Sequence, residues 1–557
     1  MTEQSRSTRA VPPIGFRPGG GPPMAFLQDS PKSKDARGTL RRLWIYLERQ
    51  RWMLIGTVLL VVVTSLIDLL GPYLMSLAID SYISKADLTG LGRLLGWMVL
   101  SYILAASGTW LQTYLMAGVA QRAVRDMRTD LFARLQTLPL RYFDQRAHGE
   151  IMSRLTNDME NISNILATSA SQLISNVLGI LGVIIIMFML NVPLALVSLV
   201  VMPLTFFVTR AIAKRTRAGF RETQSALGNL NGIIEETITG EHVVKAFGRE
   251  ETVVAQFSTV NRRLQKVALR ARIYTSFMGP LMNMVNNLGL AIVACAGGWL
   301  AVESLATVGE IAAFINYAGR LGRPLNMIAQ LFTSVQAALA GAERVFETMD
   351  ELPETDAPSA EPLEHIRGQV SFKDVSFGYD AAVAVLKDVS LEAAPGQTIA
   401  LVGPTGAGKT TIANLLTRFY DIQSGKIEID GRDAATLRKN DLRHKIGLVL
   451  QDNFLFAATV MENIRYGRLE ASDEEVRAAA VLANADMFIH RLPHGYQTVL
   501  TERGSNLSQG QRQLLAIARA VLANPDILIL DEATSNVDTR TEKHLQEALL
   551  RLMKGRT

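Results

Sequence analysis

Long apolar segments dominate the first 335 residues of the chain. Each is about 20 residues or longer, which lets a helix cross a hydrocarbon core about 30 Å thick. The six segments lie near residues 52–83, 91–121, 166–190, 192–213, 274–302 and 308–333. The pattern therefore predicts an all-α, six-helix membrane domain.

The segments outside these crossings complete the predicted organisation of the first half. Residues 1–38 contain a Pro- and Gly-rich run and are expected to form a flexible tail. Residues 40–50 have the pattern of an amphipathic helix that lies along a membrane surface. We therefore predict a membrane domain over residues 39–350.

The charge of the loops predicts the orientation of the membrane domain. Six arginines lie between Arg122 and Arg146, in the long loop after the second crossing, and five basic residues lie between Arg210 and Glu222, after the fourth. The short loops on the other side carry little charge. Because positive loops stay in the cytoplasm, both long loops and both termini are predicted to be cytoplasmic.

Composition agrees with a membrane protein. Hydrophobic residues make up 48% of the 557 residues, and the mean hydropathy is +0.17. A formal net charge of +5 does not indicate a nucleic-acid partner, and none is expected. The single cysteine, Cys295, excludes a disulfide within the chain.

The hydrophobic period changes after an acidic linker at residues 351–366. Residues 370–377 alternate as a strand does, and residues 398–402 and 527–530 are short apolar runs, typical of strands in a sheet covered on both faces. We therefore predict an α/β domain over residues 367–557.

A phosphate-binding motif follows the apolar run at 398–402. Residues 403–410 read GPTGAGKT and match the P-loop pattern, whose glycines let backbone N–H groups surround phosphate oxygens at a helix N-terminus. Lys409 would reach the β- and γ-phosphates of ATP, and the Thr410 hydroxyl would hold Mg²⁺. The predicted nucleotide-binding residues are Gly403, Pro404, Thr405, Gly406, Ala407, Gly408, Lys409, Thr410 and Thr411.

Two carboxylates end the apolar run at 527–530. Asp531 is predicted to join the Mg²⁺ shell, and Glu532 to orient the attacking water or take its proton. The alternative is an exposed acidic loop, which the nearby P-loop disfavours. The predicted chemistry is therefore ATP hydrolysis with ATP and Mg²⁺ as cofactors.

Residues 507–511 read LSQGQ, and here the sequence resembles the ATP-binding-cassette (ABC) family, whose signature is commonly LSGGQ. The resemblance implies that this segment binds the γ-phosphate held by the P-loop of a partner subunit. Gln509 replaces the usual glycine, which puts in doubt the efficiency of the site that the segment completes. The signature residues expected to bind nucleotide are Ser508, Gln509, Gly510 and Gln511.

Other positions match the family pattern. Tyr379 would stack on adenine, the alternative being an ordinary strand tyrosine. Gln451 would contact Mg²⁺ and take part in catalysis with Lys409 and Glu532, and Asp538 lies in a loop that meets the partner. The family's switch histidine is missing, because no histidine follows His544. We therefore expect a fragment, incomplete at its C-terminus, that binds ATP but hydrolyses it poorly.

The membrane half resembles the exporter branch of the family, with the type IV fold, in which six helices extend into the cytoplasm. The resemblance implies two short helices, near residues 138–146 and 240–249, that press on the ATPase domains; solvated charged loops are the alternative.

Polar residues within the crossings are candidates for a substrate path. Asn283, Asn286 and Asn287 share one helix face, and Asp68 and Asp80 lie in the first crossing, where an outer gate is one hypothesis. The alternative for the asparagines is hydrogen bonding between helices.

The resemblance implies ATP-driven export, by alternating access, of a small hydrophobic or amphipathic molecule (a drug or a lipid) across a bacterial cytoplasmic membrane. The partner is a second half-transporter. A heterodimer is favoured, because the motif set resembles the glutamate-bearing subunit of bacterial heterodimeric multidrug exporters; a homodimer is the alternative. A lipid flippase and a nucleotide-gated pore are rival functions, whereas the six crossings exclude a soluble chromosome-maintenance ATPase.

Overall fold

The computed structural model describes residues 35–380, 383–404, 406–450, 453–531 and 539–557. The predicted tail therefore lies almost wholly outside the described residues. The chain divides into two compact units. The helical unit contains the residues up to Thr137 and Arg146–Glu351, and the mixed unit contains Leu138–Gln145 and Leu352–Thr557.

Eleven α-helices form the first part of the described chain. They are α1 (Ala36–Glu48), α2 (Arg51–Leu77), α3 (Leu88–Gln136), α4 (Leu140–Asp144), α5 (His148–Ser153), α6 (Met159–Asn164), α7 (Ala170–Leu190), α8 (Val192–Thr239), α9 (Glu241–Ala246), α10 (Glu250–Val302) and α11 (Val308–Asp350). π-helical turns extend α2 to Ile83 and join α5, α6 and α7 into one helical run. All but α4 belong to the helical unit.

Four helical runs of the described chain are long and apolar enough to cross a membrane. They are Arg51–Ile83, Leu88–Gln136, His148–Leu190 and Glu250–Val302. The other two predicted crossings, at 192–213 and 308–333, lie on α8 and α11, where some side chains are outside the described set. All six predicted segments are helical, and most of the helices run well beyond the apolar stretch that predicted them.

Helix α1 is held by contacts with other helices of its unit. Arg42 donates two hydrogen bonds to the Asp350 carboxylate, at 2.5 and 2.8 Å, and its guanidinium lies 4.3 Å from the Phe346 ring centroid. Tyr46 donates to Asp130, and burial together with this carboxylate raises the pKa of Tyr46 to about 12. The amphipathic helix predicted at 40–50 is present, shifted a few residues toward the N-terminus.

Asp80, a candidate for an outer gate, has a structural role at the start of α11. Its carboxylate accepts hydrogen bonds from Gly309 N (2.8 Å) and Thr307 Oγ1 (2.6 Å). A Cβ atom at Gly309 would lie 2.4 Å from Asp80 Oδ2, so only glycine fits this approach. Asp80 thus ties the end of the first predicted crossing to the sixth.

The mixed unit contains six strands. They are β1 (Val370–Phe377), β2 (Leu386–Ala393), β3 (Ser424–Ile429), β4 (Arg432–Asp433), β5 (Ile446–Val449) and β6 (Ile527–Leu530). The first four form an antiparallel sheet in the order β2-β1-β3-β4, and β5 pairs in parallel with β6, with Ile446 opposite Ile527. The strands predicted at 370–377 and 527–530 are confirmed.

The strand predicted at 398–402 is wrong. The segment has no regular strand structure, and Val402 is 93% exposed. A cavity of about 380 Å³ is lined by this segment together with β6 and α12. An apolar run forms a strand only where a neighbour supplies a ladder of hydrogen bonds.

The helices of the mixed unit surround these strands. In chain order they are α12 (Lys409–Leu416), α13 (Lys439–Lys445), α14 (Val460–Arg465), α15 (Asp473–Leu482), α16 (Asp486–Ile489), α17 (Gln509–Ala523) and α18 (Thr539–Met553). Helix α17 lies at the centre of one hydrophobic core, in which Leu515 and Ile517 are fully or almost fully buried.

The linker is fastened to the mixed unit by Glu354. This carboxylate accepts two hydrogen bonds from Arg443, at 2.9 and 2.7 Å, and lies 3.3 Å from Lys439 Nζ. Burial opposes ionisation of Glu354, but the two cations outweigh it and lower the pKa. The carboxylate is therefore charged at neutral pH and binds the linker to α13.

We expect Glu354→Gln to destabilise the mixed unit by about 1–3 kcal/mol at pH 7, because two part-buried cations lose their anion. Since the folded pKa is lowered, this contribution is present above the ordinary glutamate pKa of about 4.3 and is lost as the pH falls through the lower folded value. Thermal unfolding of the full-length protein and of the variant at pH 7 and pH 3 measures the contribution of Glu354 to stability. The control is Glu364→Gln, at an exposed position of the same segment; equal shifts for the two variants would contradict the assignment.

Candidate functional site

The phosphate-binding loop has the backbone shape that the motif predicts. Gly406 and Gly408 have φ values of 86° and 91°, in the left-handed region that favours glycine. A Cβ atom at Gly408 would also lie 2.6 Å from the Leu386 side chain. The loop leads directly into α12, whose first residue is Lys409, so its backbone N–H groups and a helix N-terminus face the same place.

Lys409 folds back across this loop. Its Nζ donates to Gly403 O at 2.8 Å and to Pro404 O at 3.2 Å. An ammonium group has three donors, so this arrangement orients the group and leaves capacity for a phosphate oxygen.

Two of the three predicted Mg²⁺ ligands, Thr410 and Asp531, lie together. Thr410 Oγ1 donates to Asp531 Oδ2 at 3.0 Å. Asp531 follows β6, and its backbone N–H donates to Val449 O of β5, which fixes the carboxylate relative to the parallel strands. Among the described residues no three His, Cys, Asp or Glu side chains gather around one point. A hydroxyl and one carboxylate suit Mg²⁺, which in phosphate sites takes few protein ligands and several oxygens from substrate and water.

Tyr379 is held with one part of its ring open. Its hydroxyl donates to Thr411 Oγ1 at 3.3 Å and accepts from Asn414 Nδ2 at 3.1 Å. Phe377 and Tyr420 contact it edge-on, with ring centroids 5.0 and 4.9 Å away. The residue stays 38% exposed, which suits an aromatic ring that stacks on a base. Asn414 and Tyr420 were not predicted from the sequence, since only their closeness to Tyr379 identifies them.

The signature segment caps α17. Ser508 Oγ accepts a hydrogen bond from Gln511 N at 3.3 Å, and Gln511 Oε1 accepts one from Ser508 N at 3.0 Å. This reciprocal pair is a capping box, and the spacing S-x-x-Q could have predicted it. The Ser508 oxygen is the acceptor in this pair, so its own O–H takes no part in the cap.

Four predicted site residues lie outside the described residues. They are Thr405, Gln451, Glu532 and Asp538. Their predicted roles stay predictions, as do the nucleotide contacts of the signature.

Helix α4 belongs to the mixed unit although it directly follows α3 in sequence. Tyr420 donates a hydrogen bond to the Asp144 carboxylate. Burial, reinforced by this carboxylate, raises the pKa of Tyr420. Tyr142 of the same helix is buried. Both predicted short helices exist, as α4 and α9, but α9 contains no buried residue.

Comparison with known proteins gives one consistent result. Residues 53–325 match the family of ABC transporter transmembrane regions, and residues 386–535 match the family described as ABC transporter. The uncharacterized ABC transporter ATP-binding protein YfiC of Bacillus subtilis is 47% identical over 527 residues, covering 94% of this chain and 87% of the relative.

Two further matches concern activity and fold. A fatty acid ABC transporter ATP-binding/permease protein of Mycobacterium tuberculosis is 41% identical over 471 residues, which cover 85% of this chain and 74% of the relative. A solved bacterial Atm1-family ABC exporter with ATP bound matches with a TM-score of 0.71 and 31% identity, over 91% of this chain and 90% of the other.

We expect Thr410→Val to weaken binding of Mg²⁺·ATP at least about tenfold while leaving metal-free ATP binding nearly unchanged, because only the hydroxyl near Asp531 is lost. Titration with a fluorescent ATP analogue, in Mg²⁺ and in EDTA, measures both affinities. Thr417→Val is the matched control, since its buried hydroxyl donates only to carbonyls of its own helical turn. Equal losses with and without Mg²⁺ would contradict the role of Thr410.

Proposed function

Because this chain belongs to the ABC transporter family and has the exporter fold, we propose that it uses ATP to export a small amphipathic molecule, a drug or a lipid, from the cytoplasm. The observation that carries the proposal is the contact between Thr410 and Asp531 beside Lys409, in the same chain as a unit of membrane-spanning helices. ABC exporters of this kind are multi-pass membrane proteins that bind ATP.

The proposed chemistry divides among residues of the mixed unit. Lys409 binds phosphate oxygens, and Thr410 and Asp531 hold Mg²⁺, which would neutralise charge on the transferred phosphoryl group. Glu532, next to Asp531 in sequence, positions the attacking water and accepts its proton, and Gln451 assists at the metal. Tyr379 stacks on the adenine; its open ring supports this role.

A second half-transporter completes the site. The Ser508 hydroxyl and the α17 N-terminus are suited to an anion, so we propose that they meet the γ-phosphate held by the partner's P-loop. The favoured assembly is a heterodimer in which Glu532 serves the competent site and the Gln509-bearing signature completes the partner's site. A homodimer is the alternative.

The cargo and the orientation follow from separate observations. A relative named as a fatty acid transporter, 41% identical, supports an amphipathic or lipid cargo. The arginines between Arg122 and Arg146 support an ATPase domain on the cytoplasmic side, and we propose the bacterial inner membrane as the location of the protein. Two alternatives are a lipid flippase, which shares the architecture, and a nucleotide-gated pore. The retained Glu532 favours ATP turnover and therefore argues against the pore.

We further propose that α4 transmits nucleotide state to the membrane helices. Asp144 of α4 accepts from Tyr420, and the Tyr420 ring contacts Tyr379, the proposed adenine platform. Since α4 begins only a few residues after α3 ends, a shift of Tyr379 on nucleotide binding reaches a membrane helix through two side chains.

We expect ATP hydrolysis by the full-length protein in lipid vesicles to require a co-expressed partner half-transporter and to disappear in Glu532→Gln. The variant keeps the size of the side chain but cannot accept the proton of the water. Phosphate release, with and without the partner, measures this. Full hydrolysis by this chain alone would make it a homodimer, and no hydrolysis in either setting would favour the gated pore.

We expect Tyr420→Phe to keep basal ATP hydrolysis but to lower substrate stimulation about fivefold or more, because the ring cluster persists while the bond to Asp144 is lost. ATPase assays across a substrate titration measure the stimulation. Tyr496→Phe is the control, as Tyr496 is a buried tyrosine of the same unit that donates to the Asp486 carboxylate at 2.6 Å. Equal effects of the two variants would refute the coupling role.

A further inference from the structure

The helical unit contains a polar cavity at membrane depth. It has a volume of about 610 Å³ and is enclosed by α2, α3, α7 with the turn before it, and α11. Twelve of its seventeen lining residues are polar, although the first three of these helices lie in runs apolar enough to cross a membrane. Polar side chains at such depth indicate a functional site, because hydrocarbon offers them no hydrogen bonds.

Three buried polar atoms at this cavity have no hydrogen-bond partner within the described part of the chain. They are Ser65 Oγ, Ser171 Oγ and Asn176 Nδ2. Ser171 is only 7% exposed, so little of it is open to solvent. Leaving such groups unpaired is costly, which indicates that a ligand or water satisfies them.

The unsatisfied atoms at this cavity can all donate a hydrogen bond. The threonine hydroxyls around it already donate to carbonyls of their own helices: Thr64 to Leu60, Thr109 to Ala105 and Thr168 to Asn164, at 2.6–2.8 Å. The unsatisfied groups are different. Asn176 Nδ2 can only donate, and the Ser65 and Ser171 hydroxyls each hold a hydrogen without an acceptor.

A cation completes the donor set. Arg320 of α11 donates through Nη1 to the Asp68 carboxylate at 2.7 Å and to the Asp68 carbonyl at 3.0 Å. A guanidinium has five N–H donors in a planar fork, so Arg320 can take a second oxygen anion beside Asp68. Leu69 and Val183 supply apolar wall next to these groups.

We infer that this cavity binds the anionic, oxygen-bearing head group, carboxylate or phosphate, of an amphiphile whose apolar chain lies along the helices. The inference rests on the proposed export function and specifies the chemical class of its cargo. Asn283, Asn286 and Asn287, which the sequence made candidates for the path, are not among the residues that line this cavity.

The test uses the full-length protein in lipid nanodiscs and measures binding of radiolabelled dodecanoate, with empty nanodiscs subtracted. Unlabelled dodecanoate, dodecyl phosphate, dodecanol and dodecyltrimethylammonium compete, so that only the head group varies. We expect both anions to compete at least about tenfold better than the alcohol and the cation. If dodecanoate competes better, the head group of the cargo is that of a free acid; if dodecyl phosphate competes better, it is that of a phospholipid. A cation that competes as well as the anions overturns the inference.

Two variants locate the binding. Ser171→Ala and Asn176→Leu should each weaken dodecanoate binding about tenfold, because each removes a donor and preserves the shape of the wall. The control is Ser198→Ala, a buried serine of α8 whose hydroxyl donates to Leu194 O at 2.8 Å. If Ser171→Ala and Ser198→Ala bind dodecanoate alike, the site is not in this cavity.

ATP hydrolysis by the same preparation, with its partner present, separates the two proposals. A preparation that hydrolyses ATP but does not bind the anions overturns the cavity inference alone. One that binds them through Ser171 and Asn176 without hydrolysing ATP overturns the export function and leaves the site standing.

Discussion

The need to satisfy every backbone hydrogen bond inside a bilayer governs the helical unit. Only an unbroken helix meets this need within one segment, and α3, α8, α10 and α11 accordingly run for 49, 48, 53 and 43 residues. Polar side chains of the helical unit follow the same rule, since threonines such as Thr64 and Thr109 donate hydrogen bonds to carbonyls of their own helices. Three groups that do not, Ser65 Oγ, Ser171 Oγ and Asn176 Nδ2, line one cavity and are therefore informative.

In the mixed unit, the arrangement of the candidate site depends on the parallel pairing of β5 with β6. It fixes the end of β6, so Asp531 meets Thr410 at the start of α12. Catalysis of phosphoryl transfer depends mainly on positioned charge, and rigid strand ends and helix starts supply that positioning. The same unit holds α4 through the hydrogen bond from Tyr420 to Asp144, although α4 lies between two helices of the other unit in sequence.

Much of the candidate site follows from local sequence. The loop at 403–410, the acidic end of β6 and the capped start of α17 are short motifs whose function depends on neighbouring residues, so their spacing alone predicts them. Asn414, Tyr420 and Arg320 could not be found in this way. Each acquires its role from a contact with a residue distant in the chain, as Arg320 does from Asp68.

The sequence by itself determined where the membrane helices lie, the sign of the charge on their loops and the position of the P-loop. Periodicity, charge and glycine placement act over only a few residues. Only the tertiary structure decided that 398–402 is not a strand, that Asp80 accepts hydrogen bonds from the start of α11, and that α4 belongs with the mixed unit. A strand needs a neighbouring strand for its hydrogen bonds, and the role of a carboxylate or hydroxyl depends on the groups with which it forms hydrogen bonds. Those neighbours are set by the packing of distant segments.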